Sequence, residues 1–174
     1  MPEHVDAAKY APILCAGVTV FASMRRMNVR PGATVAIQGL GGLGHLAIQY
    51  ANKFGWRVVA LSRGSEKEKF AKELGAHEYI DATKVDPAEA LQKFGGASLI
   101  VATAPNGDAI KPLVGGLGVL GKLLILSGKS HREEIVRNAG SDIVCNSRGR
   151  DPYQYHLSGK SFPQSKLGEV EHRC

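Results

Sequence analysis

The chain has 174 residues and a formal net charge of +6, and 44% of its residues are hydrophobic. This length suits a single domain, and the composition is sufficient for a packed core. The lysines and arginines are scattered, so nucleic acid is not expected as a partner. No apolar run approaches the ~20 residues of a membrane span and no secretory signal is visible, so a membrane partner is not expected either.

The cysteine content predicts the compartment. The chain has three cysteines, Cys15, Cys145 and Cys174, and no two of them are close in sequence. This spacing argues against a disulfide scaffold and fits a reducing environment. The sequence therefore predicts a cytoplasmic protein.

The first 28 residues predict mostly helical structure. Asp6 can cap a first short helix, and Pro12 suits the start of a second one. A stripe of residues with helical spacing is predicted on the second helix. It consists of Val18, Phe21, Ala22 and either Met24 or Arg25. The turn signal Arg30-Pro31-Gly32 ends this part of the chain.

A strand, a glycine-rich loop and a helix follow at the centre of the chain. Residues 34–38 have strand character, and a helix is predicted over about residues 42–54. Gly39 permits the turn out of the strand, Gly41 leaves room for a pyrophosphate, and Gly44 lets the helix pack near the strand. The free N–H groups at the helix start attract phosphates, so this context predicts dinucleotide binding, with a plain tight turn as the alternative. The predicted phosphate-binding loop is Gly39, Leu40, Gly41, Gly42, Leu43 and Gly44.

Strands and helices alternate from residue 34 to about residue 127. Further strands are predicted at residues 57–62, 79–81, 99–102 and 122–126, and further helices at residues 66–74, 87–94 and 108–117. The alternation predicts an α/β fold, a Rossmann-type doubly wound parallel sheet with right-handed crossovers. The run Gly115–Gly121 follows a helix and precedes a strand, which is the wrong order for a second phosphate loop. We interpret it as a flexible connection.

The remainder of the chain differs in composition. Residues 129–174 are poorer in apolar residues, with Gly, Ser and Pro interspersed, and they predict a poorly structured tail. Residues 143–145 could form a short sixth strand. The sequence thus predicts a helical lead-in at residues 1–30, a dinucleotide-binding domain at residues 31–128 and an atypical tail.

Five motifs in this order resemble the zinc-type alcohol dehydrogenases of the medium-chain dehydrogenase/reductase superfamily. They are residues 11–21, Pro31-Gly32, the Gly39–Gly44 loop, residues 72–76 and Tyr79-Ile80-Asp81. The resemblance covers residues 1 to about 128. It implies the nicotinamide-dinucleotide-binding domain of an oxidoreductase that transfers hydride between an alcohol and nicotinamide, with zinc polarising the oxygen.

The resemblance also implies an incomplete catalyst, because the family's separate catalytic domain is expected to be missing. Cys15 matches the family's third protein ligand of catalytic zinc, but no second ligand lies near it in sequence. A buried, small apolar residue is the alternative role. Zinc is therefore expected in the complete family enzyme and not in this chain.

Two other functions stay open at this stage. One is a zinc-independent relative similar to the quinone reductases, and the other is a non-catalytic nucleotide-binding module. An apolar face left uncovered by the missing domain would favour self-association, so a homo-oligomer is a further possible partner.

The end of the second predicted strand bears on the choice between NADP and NAD. An NAD enzyme usually places Asp or Glu there for the ribose hydroxyls, and no acidic residue stands at this position. Ser62 could hydrogen-bond a 2′-phosphate, Arg63 could pair with it, and Lys67 could add charge from the next helix. These residues favour NADP(H), with solvated surface charge as the alternative.

Four further residues are expected near the nicotinamide half of the cofactor. Thr103 and Ala104 follow the fourth predicted strand, and Ser127 follows the fifth. Ligands of open parallel sheets bind past the carboxyl ends of the strands. Thr19 resembles a family position near the nicotinamide. A plain turn or cap is the alternative for each.

Overall fold

The computed structural model describes residues 6–104 and 107–126, together with two further strands. The seven strands are β1 (Thr34–Gln38), β2 (Arg57–Ser62), β3 (Glu78–Asp81), β4 (Ala97–Ala102), β5 (Leu117–Ile125), β6 (Asp142–Cys145) and β7 (Tyr153–Tyr155). They form one sheet in the order β3-β2-β1-β4-β5-β6-β7. Strands β1 to β6 pair in parallel, and β7 pairs antiparallel with β6. The predicted doubly wound parallel sheet is confirmed.

The strand order reverses at β1. This strand pairs with β2 on one side and β4 on the other, so the chain winds outward in both directions from the middle of the sheet. At such a reversal the connections leave toward opposite faces and a crevice opens past the carboxyl ends of the strands. The fold thereby indicates where a ligand would bind.

Helices connect the strands. They are α1 (Ala7–Pro12), α2 (Val18–Arg26), α3 (Gly44–Lys53), α4 (Glu68–Glu73), α5 (Pro87–Gln92) and α6 (Gly107–Ile110). A π-helical segment, Ile13–Gly17, joins α1 to α2, and a 3₁₀ helix, Lys111–Gly116, follows α6. No helix within these described parts is long and apolar enough to cross a membrane.

The lead-in is one continuous helical segment. Asp6 Oδ1 accepts the Ala8 N–H at 3.0 Å, which confirms the predicted cap. Pro12 is the last residue of α1 and the N-cap of the π-helical segment, so it lies near the start of the next helical segment as predicted, but no break separates the two. Proline has the φ that a helix needs, and wider π-helical hydrogen bonding from Val18 N–H to Ile13 continues the segment past it.

Only part of the predicted stripe on α2 is buried. Met24 is buried, together with Val20 and with Met27, which follows the helix. Val18 is 57% exposed, and Phe21 is 36% exposed and contacts the rings of Tyr50 and Phe54. Helical spacing alone does not show which of two apolar stripes on a helix faces the core.

The sheet separates two hydrophobic cores. Alternate residues of the central strands point to opposite faces, as Val35 and Ile37 do toward α3 while Ala36 points toward the other side. On the first face α2 and α3 cover the sheet, and on the second α5 and the 3₁₀ helix do so. This two-sided burial explains why the strands read as continuous apolar runs.

Strand β5 starts earlier than predicted. It begins at Leu117, so the interpretation of the whole Gly115–Gly121 run as a flexible connection is wrong. The pairing with β4 shifts register after Ala97, and a Cβ at Gly121 would lie 2.6 Å from the Ala97 carbonyl oxygen. Gly121 is therefore needed for the close approach of β5 to β4. This packing role is not apparent from the sequence, where a glycine-rich run resembles a turn.

The predicted sixth strand is confirmed as part of β6. The other residues of the predicted tail, apart from β7, lie outside the described residues.

Candidate functional site

The carboxyl ends of β1, β2 and β4 are held together by backbone hydrogen bonds. Gly39 N–H donates to the Leu61 carbonyl at 2.9 Å, and Thr103 N–H donates to the Gln38 carbonyl at 2.9 Å. The residues that follow these three strands therefore share one edge of the sheet. This edge holds the predicted loop, Ser62 and Thr103.

Glycine is required at two positions of the loop for the protein's own packing. Gly39 has φ +93°, and a Cβ there would lie 2.9 Å from Thr103 Oγ1. A Cβ at Gly44 would lie 1.8 Å from the Gly39 carbonyl oxygen. These contacts fit the roles predicted for the two glycines, the turn and the close approach of helix to strand.

Gly41 and Gly42 have a different environment. A Cβ at either position would meet no protein atom within 4 Å. Neither residue needs to be glycine for packing, so the open space beside them is available to a ligand. A pyrophosphate that lies close to the backbone would be excluded by a side chain at this place.

The backbone donors of the loop are also available. Helix α3 starts at Gly44 with Leu43 as its N-cap, and no side chain caps it. Among the described residues, the N–H groups of Gly41, Gly42 and Leu43 make no hydrogen bond. Uncapped N–H groups at a helix start attract anions such as phosphate. Leu40 and Leu43 are half-buried and pack against the core, so they hold the loop in place.

Thr103 links the loop to the end of β4. Its hydroxyl lies 2.8 Å from the Gln38 carbonyl oxygen and 3.2 Å from that of Gly39, and it donates to them. The Gln38 side chain in turn accepts the Ala104 N–H at 3.3 Å. Thr103 and Ala104 therefore lie beside the loop. Gln38 was not predicted from the sequence, because a polar residue at the end of a strand has no distinguishing signal.

His45, in the first turn of α3, also contacts the loop. Its ring Nδ1 lies 3.1 Å from the Gly41 carbonyl oxygen. A carbonyl oxygen can only accept, so Nδ1 carries the hydrogen. The imidazole thus braces the loop from the first turn of α3.

The second part of the site follows β2. Ser62 is half-buried, whereas Arg63 and Lys67 are exposed. The next residue, Gly64, is bound by Asp81 of β3, whose Oδ1 accepts the Gly64 N–H at 2.8 Å. Hydrogen bonds from the hydroxyl and amide of Thr83 and from the Gly64 amide hold the pKa of Asp81 below its ordinary value. An Asp followed two residues later by Thr is a turn signal that could have indicated Asp81.

Three predicted residues are not brought to this edge by any described contact. Thr19 lies on α2, where its carbonyl accepts from Ser23 Oγ at 2.6 Å, so its place near a nicotinamide stays a prediction. Ser127 lies outside the described residues. Cys15 is exposed and free, so the alternative role as a buried core residue is wrong.

The described residues do not form a zinc site. They contain no group of three or more His, Cys, Asp or Glu side chains that could hold a metal ion. A zinc site needs three or four such ligands, and Cys15 supplies one thiolate. The donor set of the described residues thus does not fit zinc, whereas the glycine loop fits a dinucleotide.

Comparison with known proteins gives this site its context. Residues 42–148 match the family described as zinc-binding dehydrogenase. The chain is 72% identical over 127 residues to the alcohol dehydrogenase patD of Aspergillus clavatus, a match that covers 73% of this chain and 33% of the relative. An alcohol dehydrogenase of Geobacillus stearothermophilus is 44% identical over 112 residues, covering 64% of this chain and 33% of the relative.

Solved structures agree with these matches. The crystal structure of the alcohol dehydrogenase from Aeropyrum pernix matches with a TM-score of 0.68 and 29% identity, covering 75% of this chain and 40% of that one. A quinone oxidoreductase from Pseudomonas syringae has a TM-score of 0.73 at 21% identity, covering 86% of this chain and 48% of that one, which shows a shared fold alone. The chain spans about a third of the length of these curated relatives. It belongs to the zinc-binding dehydrogenase family and corresponds to the cofactor-binding part of its alcohol dehydrogenases.

Proposed function

We propose that residues 31–128 of this chain bind a nicotinamide dinucleotide at the carboxyl edge of the sheet, and that NADP(H) is preferred. The observation that carries the proposal is the open space beside Gly41 and Gly42, together with the unbonded N–H groups of Gly41, Gly42 and Leu43. The pyrophosphate would accept hydrogen bonds from these groups at the start of α3. No side chain competes for them, because α3 has no side-chain cap.

The rest of the cofactor would extend from the pyrophosphate in two directions. The adenosine ribose would lie toward Ser62 and Arg63, with Lys67 adding positive charge. The nicotinamide half would lie toward Thr103 and Ala104, and we expect Thr19 and Ser127 to lie near it. When bound, the nicotinamide ring accepts or donates a hydride at its C4 atom.

The preference for NADP(H) is inferred from charge. β2 ends at Ser62 and is followed by Arg63, with no carboxylate to accept the hydroxyls of an NAD ribose. Asp81 pairs with Ser62 across the sheet. Its Oδ1 accepts from Gly64 and Thr83, and its buried Oδ2 makes no hydrogen bond and lies 3.8 Å from Lys84 Nζ. The preference is therefore inferred from Ser62 and Arg63 at the end of β2, where a 2′-phosphate would meet a hydroxyl and a guanidinium.

Titration calorimetry with NADPH and NADH tests this function. The wild-type chain should bind at least one of them. Gly41→Ala should weaken binding and Gly41→Val should abolish it, because each added carbon occupies the place of the pyrophosphate. Gly41→Ala should keep the fold, since a Cβ at Gly41 meets no protein atom within 4 Å. The melting temperature of Gly41→Val shows whether the larger side chain does so too. Gly115→Ala, on the 3₁₀ helix, is the matched control and should bind as the wild type does. Equal affinity in all four proteins would overturn the assignment.

For the chemistry, we infer that this chain supplies the cofactor-binding part of an alcohol oxidoreductase and does not catalyse the reaction on its own. The two relatives described above are named alcohol dehydrogenases, and their matches cover a third of each. The described residues provide no set of three metal ligands, so they cannot by themselves hold the zinc that would polarise an alcohol oxygen.

Zinc analysis and NAD(P)-linked oxidation of primary and benzylic alcohols test this inference. We expect no tightly bound zinc and no turnover above background. One equivalent of tight zinc together with turnover on the order of 1 s⁻¹, ordinary for an enzyme, would contradict it. A cytoplasmic location and homo-oligomer formation stay predictions from the sequence.

A further inference from the structure

Both backbone polar groups of Gly64 are bound by side chains from β3. The Gly64 N–H donates to Asp81 Oδ1 at 2.8 Å, and the Tyr79 hydroxyl donates to the Gly64 carbonyl oxygen at 2.5 Å. Gly64 has φ +77°, a backbone conformation that favours glycine. Side chains of the neighbouring strand β3 therefore hold the turn that follows β2 through the backbone of Gly64.

The two side chains that bind Gly64 are themselves fixed. Asp81 Oδ1 also accepts the Thr83 N–H at 3.0 Å and the Thr83 hydroxyl at 2.7 Å, and Oδ2 lies 3.8 Å from Lys84 Nζ. The Asp81 side chain is 10% exposed. Partial burial raises the pKa of Tyr79, and a hydrogen bond with Ser62 opposes this increase. The phenol thus stays protonated at neutral pH and can donate to Gly64.

The position of Gly64 determines the direction of the two residues before it. Ser62 ends β2, and its carbonyl accepts the Ala82 N–H at 2.9 Å. Arg63 lies between this bonded residue and the clamped Gly64, so its backbone is restrained on both sides. Its side chain is exposed, and the residue follows β2 at the edge of the sheet where the phosphate-binding loop lies.

We propose that Asp81 and Tyr79 are positioning residues that hold Ser62 and Arg63 in the conformation that contacts the adenosine ribose and its 2′-phosphate. This inference rests on the proposed dinucleotide binding. It assigns to β3 a part in distinguishing NADPH from NADH through the turn that carries Ser62 and Arg63. An arginine that is pre-organised loses less conformational entropy when it binds a phosphate than one on a loose turn.

The test measures affinity for both cofactors in five variants. Tyr79→Phe removes the donor to Gly64, and Asp81→Ala removes the acceptor, whereas Asp81→Asn keeps an acceptor oxygen at the same place. Two controls match these changes. Tyr50→Phe alters a tyrosine in the last part of α3 that packs against Phe21, and Asp86→Ala removes a carboxylate that caps α5 through the amides of residues 88 and 89.

We expect Tyr79→Phe and Asp81→Ala to weaken NADPH binding by about three- to tenfold, the effect of one or two hydrogen bonds. NADH binding should change less, so the ratio of the two dissociation constants should fall. Asp81→Asn should restore the ratio to within about twofold of the wild type, and both controls should leave it unchanged. Amide hydrogen exchange at Gly64 without cofactor should accelerate in the first two variants.

Several outcomes would overturn the inference. If the wild type prefers NADPH and the variants keep that ratio, β3 has no positioning role, and the proposed cofactor binding still stands. An equal loss of NADPH and NADH affinity would indicate a purely structural role. If the wild type binds neither cofactor, the proposed function itself fails and the inference fails with it. If Asp81→Ala unfolds, Tyr79→Phe alone still tests the inference. It removes only one oxygen atom from a partly buried ring, so we expect it to stay folded.

Discussion

The carbonyl oxygen of Gly39 lies 1.8 Å from the position that a Cβ atom would take at Gly44. The start of α3 therefore packs directly on the end of β1, with no room for a side chain between them. Gly39 can bend back in this way because its φ is +93°. This one contact sets the shape of the loop and exposes the N–H groups that would bind phosphate.

Substitution by alanine should affect stability very differently at two glycines of the loop. Gly44→Ala should lower the free energy of unfolding by about 3 kcal/mol or more, because the added carbon overlaps the backbone of Gly39. Gly41→Ala should change it by no more than about 0.5 kcal/mol, since no protein atom lies within reach. Urea denaturation measures both. A Gly44→Ala variant as stable as the wild type would show that the loop does not have this geometry.

The preference for NADPH should depend on Arg63. Arg63→Ala should weaken NADPH binding by about tenfold, the lower end of what a charge-assisted hydrogen bond contributes, because the side chain is exposed to solvent. NADH binding should change little. Arg30→Ala, in the turn before β1, makes the same change in net charge and serves as the control. An unchanged ratio of affinities in Arg63→Ala would make Arg63 a surface charge only.

Asp81 should make stability depend on acidic pH. Its pKa is lowered in the folded chain by hydrogen bonds from Thr83 and Gly64. A carboxyl whose folded pKa lies below its unfolded value stabilises the fold above the unfolded pKa of about 3.9. That contribution is lost as the pH falls from this value through the folded pKa. Asp81→Asn does not titrate, so the difference in melting temperature between wild type and variant should shrink between about pH 5 and pH 2. A constant difference over this range would contradict the lowered pKa.

The parallel sheet was predictable from the sequence because its strands are short apolar runs bounded by glycine and charged residues. Residues 57–62 are an example, since prediction and structure agree at both ends of β2. The start of β5 was not predictable in the same way. The glycines at 118 and 121 resemble a turn signal, and only the distance from Gly121 to the Ala97 carbonyl reveals their packing role.

The same distinction between local and long-range contacts applies to the candidate site. The glycine loop was predictable, because each glycine has a role fixed by local geometry and by its position between strand and helix. Three sets of hydrogen bonds were not predictable. They are the bond between His45 and the Gly41 carbonyl, the bonds from Asp81 and Tyr79 to Gly64, and the bond between Gln38 and Ala104. They join residues that are brought together by strand pairing, such as Gly64 and Asp81, and single-sequence spacing carries no information on such contacts.

The lead-in helix should promote self-association. It exposes Leu14 by 71% and Val18 by 57%, and Tyr10 and Ile13 are also exposed. Contiguous apolar surface of this kind favours association in water. The double variant Leu14→Glu, Val18→Glu should be more monomeric in sedimentation velocity at the same concentration, with an unchanged melting temperature. Phe70→Glu, an exposed aromatic of α4, is the control. Equal association in wild type and double variant would exclude this surface.

The most direct test of cofactor binding is an NMR titration of the ¹⁵N-labelled chain with NADPH. We predict the largest amide shifts at Gly41, Gly42 and Leu43, whose N–H groups make no hydrogen bond among the described residues. Smaller shifts should follow at Ser62 and Arg63, and Leu120 at the opposite edge of the sheet should not respond. Saturating shifts confined to this pattern would support a dinucleotide site. No shift at the three loop amides, at NADPH concentrations up to about 1 mM where even weak binding is detected, would contradict it.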